Sequence, residues 1–176
     1  ILRVHMRNKP IAEDVDIVAI AKSTPGMAGA DLANLVNEGA LLAARRNHDK
    51  IYMVDFEDAK DKVMLGAERK SLVMKDEERR LTAYHEGGHA VCAMLVKGND
   101  PLHKVTIVPR GRTLGVAYTL PEDDCVSVTR EQIEARLVMA YGGRAAEELV
   151  FGHDKVTAGA ASDIQQATGI ARRYVS

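Results

Sequence analysis

Tryptophan is absent and aromatic residues make up only 4% of the chain, so no core built on large rings is available and aliphatic side chains must fill it. Only two cysteines occur, Cys92 and Cys125, which excludes a disulfide scaffold; their spacing is not that of a metal-ligand pair, and such usage fits a reducing, intracellular compartment. Cys92 falls in an apolar helical pattern and reads as a small core residue. The longest uninterrupted apolar run, Ala90 to Val96, is far short of the roughly 20 residues a membrane span needs. No signal peptide is visible, so contact with a membrane would require segments outside this sequence. Charge is nearly balanced at −1 with no dense lysine or arginine stretch, which argues against a nucleic-acid partner. There is no Gly-x-x-x-x-Gly-Lys-Ser/Thr loop, and therefore no means of hydrolysing ATP within the chain alone. Repeats and low-complexity tracts are also missing. Ile1 enters directly into structured-looking sequence and Ser176 falls inside a helical pattern, so both ends read as cut.

What is present is helix-forming. Across 176 residues, 46% are apolar, enough for one ordinary domain or two small ones. The first part, 1–69, reads as short helices separated by turn signals: a segment ending at Pro10, a helix from Asp14 to Lys22, and a loop from Ser23 to Gly29. A helix from Ala30 to Arg46 carries Leu32, Leu35, Val36, Ala40 and Ala43 on one face, and another runs from about Val54 to Met64. The second part, 70–176, begins with a charged junction and a helix opening at Asp76-Glu77-Glu78 and continuing to Lys97. Lys104 to Pro109 and Thr113 to Leu120 are β-branched and short, which predicts a ribbon of two or three strands. Thr129-Arg130-Glu131-Gln132 has capping-box form and starts a helix holding Ile133, Leu137, Ala140 and Tyr141 before it meets Gly142-Gly143. Ser162-Asp163 precedes a last helix. The expected fold class is mainly α, a small helical bundle followed by a mostly helical domain with a short β-ribbon.

Chemistry concentrates at His85-Glu86-Gly87-Gly88-His89. Residues four apart on a helix share a face, so both imidazoles can reach one ion, and zinc accepts such nitrogens readily. Glu86, following the first ligand, is placed to take a proton from a water on the metal and pass it to a leaving amine. The plainer alternative is two histidines bonded to neighbours on a helix face. Gly87-Gly88 costs roughly 0.5–1 kcal/mol per glycine relative to alanine, which implies close approach of a substrate or of another helix; the sequence does not separate these. A catalytic zinc site needs a third protein ligand. The extended motif fails, because Cys92 and Leu95 stand where Gly and His are required. Asp163, Glu147 and Glu148 are the carboxylate candidates; His103 and His153 are the nitrogen candidates, in loop-like sequence.

Tyr84 to Ala90, Lys104 to Gly111, Tyr141 to Glu148 and Gly159 to Ile164 together closely resemble the FtsH family of membrane-bound AAA+ zinc metalloproteases. Thr24 to Glu38 looks like the helical lid of that family's ATPase module. The resemblance runs in order over nearly the whole chain. It implies an AAA+ helical lid subdomain at 1–69 and a zinc metallopeptidase domain at 70–176, and an ATP-dependent zinc metalloendopeptidase acting on membrane and cytosolic proteins. It further implies Glu86 as the catalytic group, Asp163 as the third zinc ligand beside His85 and His89, and Glu147 as a residue orienting those ligands. Thr113, Leu114, Gly115 and Val116 would belong to a strand beside the cleft, to whose edge an extended substrate adds. Gly26, Gly29 and Ala30 would border the nucleotide. The implied cofactors are Zn2+ and, in the full-length protein, ATP with Mg2+; the implied partners are unfolded or membrane proteins and the other subunits of a homo-hexamer. The implied location is the cytoplasmic face of the bacterial inner membrane, or its organelle equivalent. The competing reading is a non-catalytic assembly or regulatory module with a structural metal; a closed structural site would need a fuller ligand set and no adjacent Glu86.

Overall fold

The computed structural model describes residues 1–111, 113–121 and 127–175. Cys125 lies outside the described residues. The chain divides into two compact units, Ile1–Arg69 and Lys70–Ser176.

The first unit is all helical: α1 (Leu2–Met6), α2 (Ile17–Lys22), α3 (Gly29–Arg45) and α4 (Met53–Leu65). Helix α2 starts at Ile17 rather than at Asp14 because the Asp16 carboxylate accepts hydrogen bonds from the amides of Val18 and Ala19, at 2.8 and 3.0 Å, and so caps it. The acids at the third positions of α3 and α4 reach back in the same way: Asp31 accepts from the Ala28 amide and Asp55 from the Tyr52 amide. The helices enclose Leu2, Met6, Ile20, Leu35, Val36, Ile51 and Phe56. Asp55 is fully buried yet satisfied, since Arg46 and His48 also donate to it at 2.8 and 2.9 Å. Burial works to raise the Asp55 carboxyl, but these donors outweigh it and hold it below its ordinary value.

The second unit is built on α5 (Asp76–Leu95) and α6 (Arg130–Phe151), with a two-stranded antiparallel ribbon of β1 (Leu102–Thr106) and β2 (Val116–Thr119), and with α7 (Ala161–Val175) packed on α6. Both long helices open on an N-terminal box, Glu78 to the Lys75 amide and Gln132 with Thr129. Helix α6 does not stop at Gly142-Gly143 but runs through both to Phe151. The reason is the packing: a Cβ on Gly88 would lie 2.2 Å from the Gly142 carbonyl oxygen, and one on Gly142 would lie 2.6 Å from that of Gly88. The two helices cross backbone to backbone there. Glycine inside a helix is a cost in isolation, which this approach offsets.

That crossing also separates the roles of the paired glycines in the motif. Gly88 serves helix packing, whereas a Cβ on Gly87 would meet nothing within 4 Å. Because α5 buries its small residues Ala90 and Ala93 against its neighbours, the larger Val91, Met94 and Leu95 face outward. Cys92 is therefore half-buried rather than a fully enclosed core residue; burial pushes its thiol up. The ribbon has two strands, shorter than the sequence predicts. Thr113, Leu114 and Gly115 fall outside β2, where Thr113 forms an isolated bridge with Arg110 in the turn, and only Val116 of the four lies in the strand. Among the described residues no helix is long and apolar enough to cross a membrane.

Candidate metal centre

Helix α5 places His85 and His89 one turn apart on its buried face, with ring centroids 4.7 Å apart and the planes nearly perpendicular. Their Nε2 atoms point at one another across 3.1 Å. Each Nδ1 is occupied on the far side of its ring. His89 donates from Nδ1 to the Met139 carbonyl at 2.7 Å, a partner that can only accept, so its Nε2 presents a lone pair. His85 Nδ1 meets Glu147 Oε1 at 2.7 Å, which fixes that ring the same way. Glu147 is wholly buried and is held in turn by the Thr157 amide at 2.7 Å and the Thr157 hydroxyl at 3.2 Å.

Asp163, in the first turn of α7, completes the group. Its Oδ2 lies 3.1 Å from His85 Nε2 and 3.4 Å from His89 Nε2, is itself buried, and has no hydrogen-bond partner. Three acceptor atoms thus converge with no donor between them, the arrangement that a shared cation resolves. Their mutual separations of 3.1, 3.1 and 3.4 Å match the edge of roughly 3.3 Å expected for one face of a zinc tetrahedron with bonds near 2.0–2.1 Å. Two imidazoles and one carboxylate are also the donor types of a catalytic zinc site with an open position. The residues present fit that ion.

Electrostatics around the group are strongly coupled. Burial works to raise the Asp163 carboxyl, and the two facing imidazoles, when protonated in the absence of an ion, overcome it and hold this acid well below the ordinary carboxylate range. Burial disfavours charge on both imidazoles, yet Asp163, with Glu147 at His85 and the Met139 carbonyl at His89, turns the net shift upward. Glu86 differs. Burial pushes its carboxyl above the ordinary value, while His89 and His85 pull it partly back. A carboxyl raised by burial holds a proton more readily than a solvated one, which suits a group that takes a proton and returns it.

The group opens onto a cavity of about 750 Å3 whose walls include Glu86, Leu114 to Thr119, Met139, Asp163 and Ile170. Gly115 presses on Glu86: a Cβ there would sit 2.7 Å from Glu86 Cγ and 2.9 Å from the Thr106 carbonyl oxygen. Thr113, Leu114, Gly115 and Val116 all line this cavity. The structure brings His85, Glu86, His89, Glu147 and Asp163 together and leaves the other ligand candidates apart from them. Glu148 and His153 pair with each other at 3.2 Å near the surface, and His103 is exposed on β1 against Tyr118. Gly26 adopts a φ of 74° in the turn after α2, and Gly29 and Ala30 form the first turn of α3 in the first unit. Sequence reasoning missed Thr157 and the Met139 carbonyl. A backbone acceptor has no sequence signature, and Thr157 is marked only by its nearness to the Asp163 segment.

Comparison with known proteins agrees with this geometry. Residues 72–176 match the model of peptidase family M41, and residues 14–58 match that of an AAA+ lid domain. The chain is 57% identical over its whole length to an ATP-dependent zinc metalloprotease FtsH of Caulobacter vibrioides, of which it covers 28%. It is 57% identical to the protein of the same name from Neorickettsia risticii and 53% identical to that from Buchnera aphidicola, again over the whole chain, covering 28% and 29% of them. The chain thus spans less than a third of the length of these relatives. A family model that fits the helix of His85 and His89, the ribbon and the helix of Asp163 as one unit leaves a single assignment: this chain belongs to peptidase family M41.

Proposed function

We propose that residues 70–176 form the catalytic domain of an ATP-dependent zinc endopeptidase, and that residues 1–69 are the helical lid of the ATPase module that feeds it. The convergence of His85 Nε2, His89 Nε2 and the partnerless Asp163 Oδ2 beside Glu86 carries this reading. These three residues would hold the ion. Zinc bound there supplies Lewis acidity and makes water a competent nucleophile near neutral pH. The rest of the work falls to the chain. Glu147 and the Met139 carbonyl fix the imidazoles with their lone pairs inward. Glu86 accepts a proton from the attacking water at its carboxylate and delivers it to the amine nitrogen that leaves, and its raised carboxyl suits both directions of transfer. Strand β2 and the segment before it line the cavity, so an extended peptide can add to that edge through main-chain hydrogen bonds; cleavage would then depend weakly on side-chain sequence.

The substrates on this reading are unfolded or membrane proteins. ATP and Mg2+ bind in the full-length protein, with Gly26, Gly29 and Ala30 bordering the nucleotide, and six copies assemble in a ring. The site of action is the cytoplasmic face of a bacterial inner membrane or its organelle equivalent, reached through segments outside this chain. Support comes from the names of the relatives and from the ordered resemblance of the motifs. The test is Glu86→Gln in the full-length protein. Zinc should stay near one per chain while cleavage of an unfolded protein falls by about 100-fold or more. Cleavage within tenfold of the parent would refute the assignment, and zinc content unchanged by Asp163→Ala would refute the ligand set.

A further inference from the structure

Helix α6 faces the two histidines with three positions spaced four residues apart. Met139 contributes its carbonyl to His89 and Glu147 its carboxylate to His85, each at 2.7 Å. Between them stands Gly143. A Cβ at Gly143 would lie 2.6 Å from His85 Nε2, 2.6 Å from His85 Cε1 and 2.6 Å from His89 Nε2. Neither Gly142 beside it nor Gly87 and Gly88 of the motif would put a Cβ against both metal-facing nitrogens. The obstacle is not the free end of a flexible side chain. Both rings are pinned from behind by their Nδ1 hydrogen bonds to the same helix, so neither retreats without losing one.

We infer that Gly143 is a positioning residue whose missing side chain creates the space in which the metal is held, a role distinct from that of its neighbour Gly142. Gly142 meets the backbone of Gly88 and sets how closely the helices approach. Gly143 faces the ligand atoms. Its substitution therefore acts on the ion first and on the fold second, whereas substitution of Gly142 acts on both together. The inference rests on the proposed metal site, but its steric half concerns the protein free of metal and stands separately.

Two measurements test it, on the full chain and on Gly143→Ala. Zinc affinity, read by competition with a chromophoric chelator, should fall by about 100-fold or more, beyond the range seen when only an orienting hydrogen bond is lost. The visible absorption of bound Co2+ should lose its tetrahedral intensity, a signature that general destabilisation does not produce. Unchanged affinity and an unchanged Co2+ spectrum would overturn the inference. Thermal unfolding of the metal-free proteins then compares Gly143→Ala in the parent and in a background carrying both His85→Ala and His89→Ala. Because the clash is with both rings, the substitution should be clearly less harmful where both are absent, and a combined variant that folds where Gly143→Ala does not would count in the same direction. Equal harm in both backgrounds, or a combined variant as unfolded as Gly143→Ala, would overturn it. A parent chain that binds no zinc at all would instead defeat the metal reading, leaving the metal-free comparison to decide the steric role.

Discussion

Gly87 and Gly88 are adjacent on α5, yet alanine should have opposite effects at the two positions. At Gly87 the new Cβ meets nothing within 4 Å, so only the helix propensity changes, and Gly87→Ala should stabilise by roughly 0.5–1 kcal/mol. At Gly88 the same gain is offset by overlap. The Cβ would lie 2.2 Å from the Gly142 oxygen and 2.7 Å from Ala146 Cβ, whereas ordinary contacts require about 3.2 Å or more. Relief demands that the helices part by about 1 Å, and overpacking on that scale costs about 1–3 kcal/mol or more. The same movement would stretch the hydrogen bond between His89 Nδ1 and the Met139 carbonyl from 2.7 Å to a distance where no bond exists. Gly88→Ala should thus lower the melting temperature by roughly 5–15 °C and weaken zinc binding, while Gly87→Ala does neither. Circular dichroism melts with and without zinc, together with zinc content, read both quantities. If Gly87→Ala proved as damaging as Gly88→Ala, the division of labour read from the crossing would be wrong.

Three other perturbations follow from single contacts. Glu147→Gln replaces one acceptor oxygen with a donor that opposes the Thr157 amide or the His85 ring, and zinc affinity should drop by about 10–100-fold in a competition assay. Gly115→Ala should displace Glu86 without touching the ligands, so peptide hydrolysis falls by tenfold or more in kcat while zinc content stays at the parent level; parallel loss of zinc would contradict it. Asp55 is depressed below its ordinary value, so it contributes stability that is present above about pH 4 and is lost as pH falls through its lower folded value. Asp55→Asn should cost roughly 1–3 kcal/mol near neutral pH and flatten the acid limb of the unfolding profile, measured by urea titration at several pH values.

The helices and the facing histidine pair were legible in the residues because their causes are local. Spacings of three and four put Leu32, Leu35 and Val36 on one face of α3 and both histidines on one face of α5, whatever those faces pack against. The capping box at Thr129 acts within one turn, and the ribbon follows from β-branched runs around a turn. Other features depended on segments far apart in the chain. Helix α6 passes through Gly142-Gly143 because α5 lies against it, a contact across more than 50 residues that local propensity does not anticipate. The carboxylates Glu147, Glu148 and Asp163 have equivalent chemistry on paper. Their different places arise from α6 turning Glu147 toward the back of His85 and Glu148 outward to His153, while α7 brings Asp163 to the open side of both rings. A motif names atoms able to bind an ion, but only the packing of two more helices brings the third candidate, Asp163, to them and leaves the space between.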